Sequence, residues 1–168
     1  MAGTAQAAVT KQSIIINPTD EQALADPYGT FVYVDEDVDG ILLGLHERFA
    51  RRAVAAWAGR TRNVFQLRDG YVVKLPKNFL GFRENDWEGS VSNAPESIGS
   101  EWHIQYPRTR MAVFDEVPVV FMELVKPLSS QEIVSRFGHE PDWVMSVDGG
   151  QVGVNRAGRL VAYDYGVC

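Results

Sequence analysis

The run Val117-Pro118-Val119-Val120-Phe121-Met122-Glu123-Leu124-Val125 carries one charge in nine residues. Its β-branched and aromatic content reads as a strand, and a strand with so little polar alternation belongs in the interior of a sheet. Met111-Ala112-Val113-Phe114 and the turn Asp115-Glu116 precede it, so the two runs form a hairpin. A second hairpin joins Val64-Phe65-Gln66-Leu67 to Tyr71-Val72-Val73-Lys74-Leu75 through Arg68-Asp69-Gly70, where Asp-Gly is a strong turn signal. A third pairs Gln151-Val152-Gly153-Val154 with Arg159-Leu160-Val161-Ala162-Tyr163-Asp164 around Asn155-Arg156-Ala157-Gly158.

Helical patterns are fewer. Asp39 can cap a helix whose apolar residues Leu42, Leu45, Phe49, Ala53 and Trp57 recur at helical spacing, with Gly59 as its stop. Arg83 to Asn93 can form a short helix closed by Pro95, and Ser129 to Phe137 is helix-compatible. Ile14-Ile15-Ile16 and Phe31-Val32-Tyr33-Val34 read as short strands. The expected fold is α+β: a single domain over residues 13–168, with a flexible tail over 1–12. An antiparallel sheet of about five strands packs on one or two helices, and a short C-terminal hairpin ends in Asp164. The expected core holds Leu45, Phe49, Trp57, Phe65, Val73, Val113, Val120, Met122, Leu160 and Val161. Trp87, Trp102 and Trp143 read as packing residues.

Charge narrows the partners. Sixteen Lys and Arg against 22 Asp and Glu give −6, which disfavours a generally cationic nucleic-acid or membrane binder. Yet Arg48, Arg51, Arg52, Arg60, Arg62, Arg68, Lys74 and Lys77 form a basic island over 48–77, with Asp69 its only acid. Cys168, the only cysteine, excludes an internal disulfide and multi-cysteine zinc sites. No leader pattern or long apolar segment is seen, so a cytoplasmic protein without a membrane anchor is expected.

Common catalytic patterns are missing: there is no Gly-x-Ser-x-Gly and no Gly-x4-Gly-Lys-Ser/Thr. His46, His103 and His139 lack metal-ligand spacing and read as surface or packing residues. What stands out is Lys74, which ends an apolar strand just after a donor-rich turn. A strand-borne lysine can hold nucleotide phosphates as a point charge, and a glutamate on a nearby helix, Glu88 or Glu84, can orient it.

In order, these features are Gly59-Arg-Thr-Arg-Asn-Val-Phe-Gln-Leu, Val72-Val73-Lys74, a helix bearing Glu88, Val119 to Val125, and Asp164-Tyr165-Gly166. The series resembles the small N-terminal lobe of a protein kinase followed by a truncated remainder. More narrowly, it is similar to the small kinase-like proteins of tailed bacteriophages. The resemblance implies that Gly59 belongs to the phosphate loop, that Lys74 pairs phosphates, and that Glu88 pairs with Lys74. It also implies a hinge over Met122 to Val125 that meets adenine through Glu123 and Val125, with Asp164 holding magnesium.

Departures from that pattern are equally informative. The family's spacing puts Ser146 where the catalytic base should be and Gln151 where a metal-binding Asn should be, leaving Asp148 as the substitute base. Gly59 is the only glycine in the loop, beside Arg60, Thr61 and Arg62, and two residues follow Gly166, too few for an activation segment or helical lobe. The leading expectation is therefore a catalytically degraded kinase-like protein, phage-encoded, that binds and inhibits a host or phage protein in the bacterial cytoplasm. Arg51, Arg52, Arg60 and Arg62 are its candidate partner-binding residues, and ATP and magnesium its candidate ligands. Two alternatives are a miniature ATP-dependent phosphotransferase using Asp148 or Asp164, and a nucleic-acid-binding module using residues 48–77.

Overall fold

The nine-residue apolar run supplies an inner strand of a five-stranded antiparallel sheet. A computed structural model describes residues 13–16, 31–34, 40–93, 104–147 and 150–164. The sheet comprises β3 (Ala53–Ala58), β4 (Arg62–Leu67), β5 (Tyr71–Pro76), β6 (Thr109–Phe114) and β7 (Val117–Glu123), in the spatial order β3-β4-β5-β7-β6. Two of the expected hairpins are present here. Phe65 lies opposite Val73, Val72 opposite Met122, and Lys74 opposite Val120. Before this sheet come β1 (Ser13–Ile16) and β2 (Phe31–Val34), which pair in parallel with each other, and α1 (Gly40–Ala50).

Strand alternation divides the sheet into two unlike faces. On one, Phe65, Val73, Leu75 and Val119 are fully buried beneath Leu42, Leu45 and Phe49 of α1. Each such side chain contributes about 1.5–3 kcal/mol by leaving water. On the other face, Val72, Val120 and Met122 form a smaller apolar patch with Val64, Leu124 and Tyr163. There α2 (Phe79–Asn93) crosses the sheet, with Gly89 so near Met111 that a Cβ would clash.

Beyond β7 the chain passes through Leu124 and Val125 into β8 (Lys126–Pro127), α3 (Ser130–Phe137), a 3-10 turn (Asp142–Ser146), β9 (Val152–Val154) and β10 (Leu160–Ala162). The third hairpin is thus formed, and with β8 it makes a separate three-stranded sheet, β10-β9-β8. Ser129 caps α3 in a reciprocal capping box with Glu132, and Gly138 closes its far end at φ 83°. Ile133, Val144, Val152 and Leu160 give this part its own core.

Four expectations change. The helix from position 40 ends at Ala50, and Ala53–Ala58 is the edge strand β3. Its alanines fit either state, and pairing with β4 decides between them. Trp57, expected in the core, is therefore 44% exposed, and Val113 on the other edge strand is 61% exposed. The helix expected from Arg83 begins four residues earlier, at Phe79. Trp87 is exposed, whereas Trp143 packs on the C-terminal core. The expected tail, Asp39, Pro95, Trp102 and His103 lie outside the described residues. No described helix is long and apolar enough to cross a membrane.

His46 is a core residue on α1. Its Nδ1–H donates to the Leu42 carbonyl at 2.9 Å, its ring meets Phe65 edge-on, and its Nε2 has no partner among the described residues. Burial lowers its pKa from 6.5 to about 4, against the opposing backbone hydrogen bond to Leu42. A histidine whose folded pKa lies below its unfolded value stabilises least where the unfolded state binds the extra proton. Stability should hold above about pH 6.5 and fall between there and about pH 4. Urea midpoints measured across that window should show the loss, and His46→Leu should flatten it; an equal slope in both proteins would assign the acid sensitivity elsewhere.

Candidate functional site

Residues from four elements meet on the face of the sheet opposite α1. Lys74 projects from β5 and is buried, and its Nζ donates to both carboxylate oxygens of Glu88 on α2, at 2.9 and 3.0 Å. The third Nζ contact is the Tyr163 carbonyl at 2.8 Å, and Asp164 Oδ1 lies 3.7 Å away. Of the two glutamates offered by the sequence as partners for Lys74, Glu88 takes that place, with Asp164 beside the pair and Glu84 at its edge. They come together around a cation that the sequence reading had placed elsewhere.

That cation is Arg62. Expected from sequence to be a partner-binding residue, it is 6% exposed and lies inside the cluster. Its Nε reaches Glu84 at 3.0 Å, its Nη1 reaches Glu88 at 2.8 Å, and its Nη2 pairs with Asp164 Oδ1. The cause is strand parity: Arg62 precedes Val64 by two residues, and Val64 pairs with Lys74, so all three side chains share one face. Burial alone would lower the Arg62 pKa, but Glu88, Asp164 and Glu84 together outweigh it and hold the guanidinium above its ordinary value. Burial, with Asp164 adding to it, likewise raises the pKa of Tyr163.

The turn before Arg62 is folded down rather than open. Gly59 N–H donates to the Arg62 carbonyl at 2.8 Å, Thr61 Oγ1 donates to Glu84, and the Thr61 carbonyl accepts from Lys77 N–H at 2.8 Å. Gly81 at the start of α2 packs so closely against the Thr61 carbonyl that a Cβ would collide with it. Asn85, one turn before Glu88, donates from Nδ2 to the carbonyls of Lys74 and Pro118, at 2.9 and 2.8 Å. That pins α2 to β5 and β7. Sequence reasoning missed Asn85; its place three residues before Glu88, on the same helix face, was the available signal.

The remaining expected residues are dispersed. Glu123 serves as a tie: its N–H donates to the Arg108 carbonyl, and its Oε1 accepts from Arg108 N–H at 2.8 Å and from Asn155 Nδ2 at 3.1 Å. Val125 is buried at the approach to β8. Gln151 accepts from Tyr163 N–H through its backbone carbonyl, Ser146 is exposed at the end of the 3-10 turn, and Asp148 lies outside the described residues. Arg51, Arg52 and Arg60 are exposed, Arg51 in an i,i+4 pair with Glu47 at 3.7 Å.

A magnesium–nucleotide complex does not fit this arrangement. Magnesium takes near-octahedral oxygen ligands. Here the nearest carboxylates, on Glu88 and Asp164, already face Arg62 and Lys74, and no described group of three or more His, Cys, Asp or Glu is placed to hold a metal. The Gly59 N–H, which a phosphate loop would turn toward phosphate, is instead spent on the Arg62 carbonyl. A scan of the chain against protein-family models finds no match, and a search of curated proteins finds none either.

Proposed function

We propose that this chain is a kinase-like scaffold whose phosphotransfer site has become a structural ion cluster, and that it acts by binding and inhibiting another protein, of a phage or of its host. The observation that carries this reading is the Lys74–Glu88 pair with Asp164 beside it and Arg62 among the carboxylates. A kinase likewise sets its phosphate lysine on the third strand of the small-lobe sheet, against a glutamate of the helix that follows. Lys74 lies on the third strand of the five-stranded sheet in chain order, and α2 follows it directly.

The same geometry argues against turnover. Phosphoryl transfer relies on cations and donors that meet the phosphates together, so a site whose cations are spent on its own carboxylates stabilises little developing charge. Partner recognition then falls to exposed residues, with Arg51, Arg52 and Arg60 as the basic contribution and Arg62 removed from that set.

Calorimetric titration with ATP and magnesium, together with a phosphate-release assay, tests the reading. The wild type is expected to release no phosphate above background. Turnover that Asp148→Asn or Asp164→Asn abolishes would overturn the scaffold reading in favour of a miniature phosphotransferase.

A further inference from the structure

A second polar site lies at the other end of the sheet, on the opposite face. Tyr71 and Glu123 are directly paired across β5 and β7, and alternation turns both away from Lys74. With Arg108, Asn155, Arg156 and Arg159 they line a cleft of about 280 Å³. Its walls come from four parts of the chain: the start of β5, the residue before β6, the end of β7, and the β9–β10 turn.

The cleft is braced from beneath. Asn155 is buried, and its Oδ1 accepts from the N–H groups of Ala157 and Arg159, both at 3.0 Å, while its Nδ2 donates to Glu123. These bonds fix the turn that carries Arg156 and Arg159. Arg156 Nη2 then crosses to the Asp69 carbonyl at 2.9 Å, directly over Gly70, where φ is +82° and a side chain would strike the guanidinium. Glu123 is the one carboxylate lining the cleft, and its Oε1 is engaged by Arg108 N–H and by Asn155 rather than by a guanidinium. No ion pair among the described residues neutralises Arg108, Arg156 or Arg159.

We propose that this cleft binds a phosphomonoester, free or carried on a side chain of a protein partner. Three arginines against one carboxylate leave two positive charges, which complement the roughly −1.5 to −2 of a phosphomonoester at neutral pH better than the single charge of a carboxylate or phosphodiester. Guanidinium groups from two segments, Arg108 before β6 and Arg156 and Arg159 on the β9–β10 turn, offer the bidentate donors that phosphate oxygens take. The volume, just below the roughly 300–1,000 Å³ of drug-sized pockets, suits a single group. The site lies on the opposite face of the sheet from Lys74 and shares with the kinase-like reading only Glu123, which that reading gives to the hinge.

The test is an amide NMR titration of the full chain at constant ionic strength with four probes: a phosphoserine peptide, its unphosphorylated twin, inorganic phosphate, and a single-stranded oligonucleotide. The phosphopeptide should shift the amides of residues 155–159 and Gly70, with the unphosphorylated twin silent and the oligonucleotide at least tenfold weaker. Arg108→Ala and Arg159→Ala should each weaken the phosphopeptide by at least tenfold while leaving the melting temperature unchanged. Inorganic phosphate weaker than the phosphopeptide identifies a partner-borne group, and equal affinity identifies a small-molecule phosphate; both support the site. Silence to both phosphate probes at millimolar concentration, an equal response to the twin, or tighter oligonucleotide binding would overturn it.

Discussion

Glu88→Gln is expected to be among the most destabilising single changes in the chain. Glu88 is fully buried and accepts from two cations at once, Lys74 through both oxygens and Arg62 through Oε1. Neutralising it leaves two buried positive charges with less than their compensation, and removing one partner of a buried pair costs about 3–5 kcal/mol. For a domain of this size that is a fall of roughly 6–20 °C in melting temperature. Lys74→Met should cost less, because Glu88 keeps its bond to Arg62 when the ammonium is gone. Glu47→Gln, which breaks the exposed pair with Arg51, should stay within about 1 kcal/mol of wild type. Thermal and urea melts of the three variants check that order, and a Glu88→Gln protein as stable as Glu47→Gln would show that the cluster contributes nothing to the fold.

The difference between what the sequence disclosed and what it concealed follows from the kind of signal each feature leaves. Hairpins were legible because their turns have local chemistry: Asp69-Gly70 supplies the positive φ its turn requires. The Asp115-Glu116 turn was legible only from the apolar runs on either side, since both residues take positive φ without being glycine, at 46° and 70°. The Lys74–Glu88 pair was legible from a long-range pattern, a lysine on a strand followed by a helix with a glutamate.

Burial on edge strands was not legible in this way. Trp57 and Val113 look like core residues by type, but each sits on an outermost strand of the sheet, and strand order cannot be read from a hydrophobic residue alone. Arg62 was hidden for a different reason. Counting it with Arg51, Arg52 and Arg60 treats charge as a regional property, whereas its fate is decided by which face of β4 it occupies. Parity from Val64 and pairing with Lys74 would have placed it inside.

Arg62 also supports the most discriminating experiment on the cluster. Its guanidinium contacts Glu84, Glu88 and Asp164, the three carboxylates of the cluster, so Arg62→Ala leaves Lys74 as the one cation beside Glu88 and Asp164, and leaves Glu84 with the Thr61 hydroxyl. Two outcomes should follow together. The variant should lose stability on the scale of the Glu88 change, because three carboxylates lose a shared partner. It should also gain a response to divalent cations that the wild type lacks, since oxygen ligands at a partly buried, net negative site are what magnesium or manganese requires. Millimolar magnesium should then raise the melting temperature of Arg62→Ala and leave the wild type unmoved, the rise growing with the logarithm of magnesium concentration as linkage demands. Arg62→Lys should fall between them, keeping the charge but not the three-way reach of the guanidinium. If magnesium stabilises the wild type as strongly as the variant, Arg62 does not occupy the cation position, and the case for a site closed by its own arginine fails while the Lys74–Glu88 geometry stands.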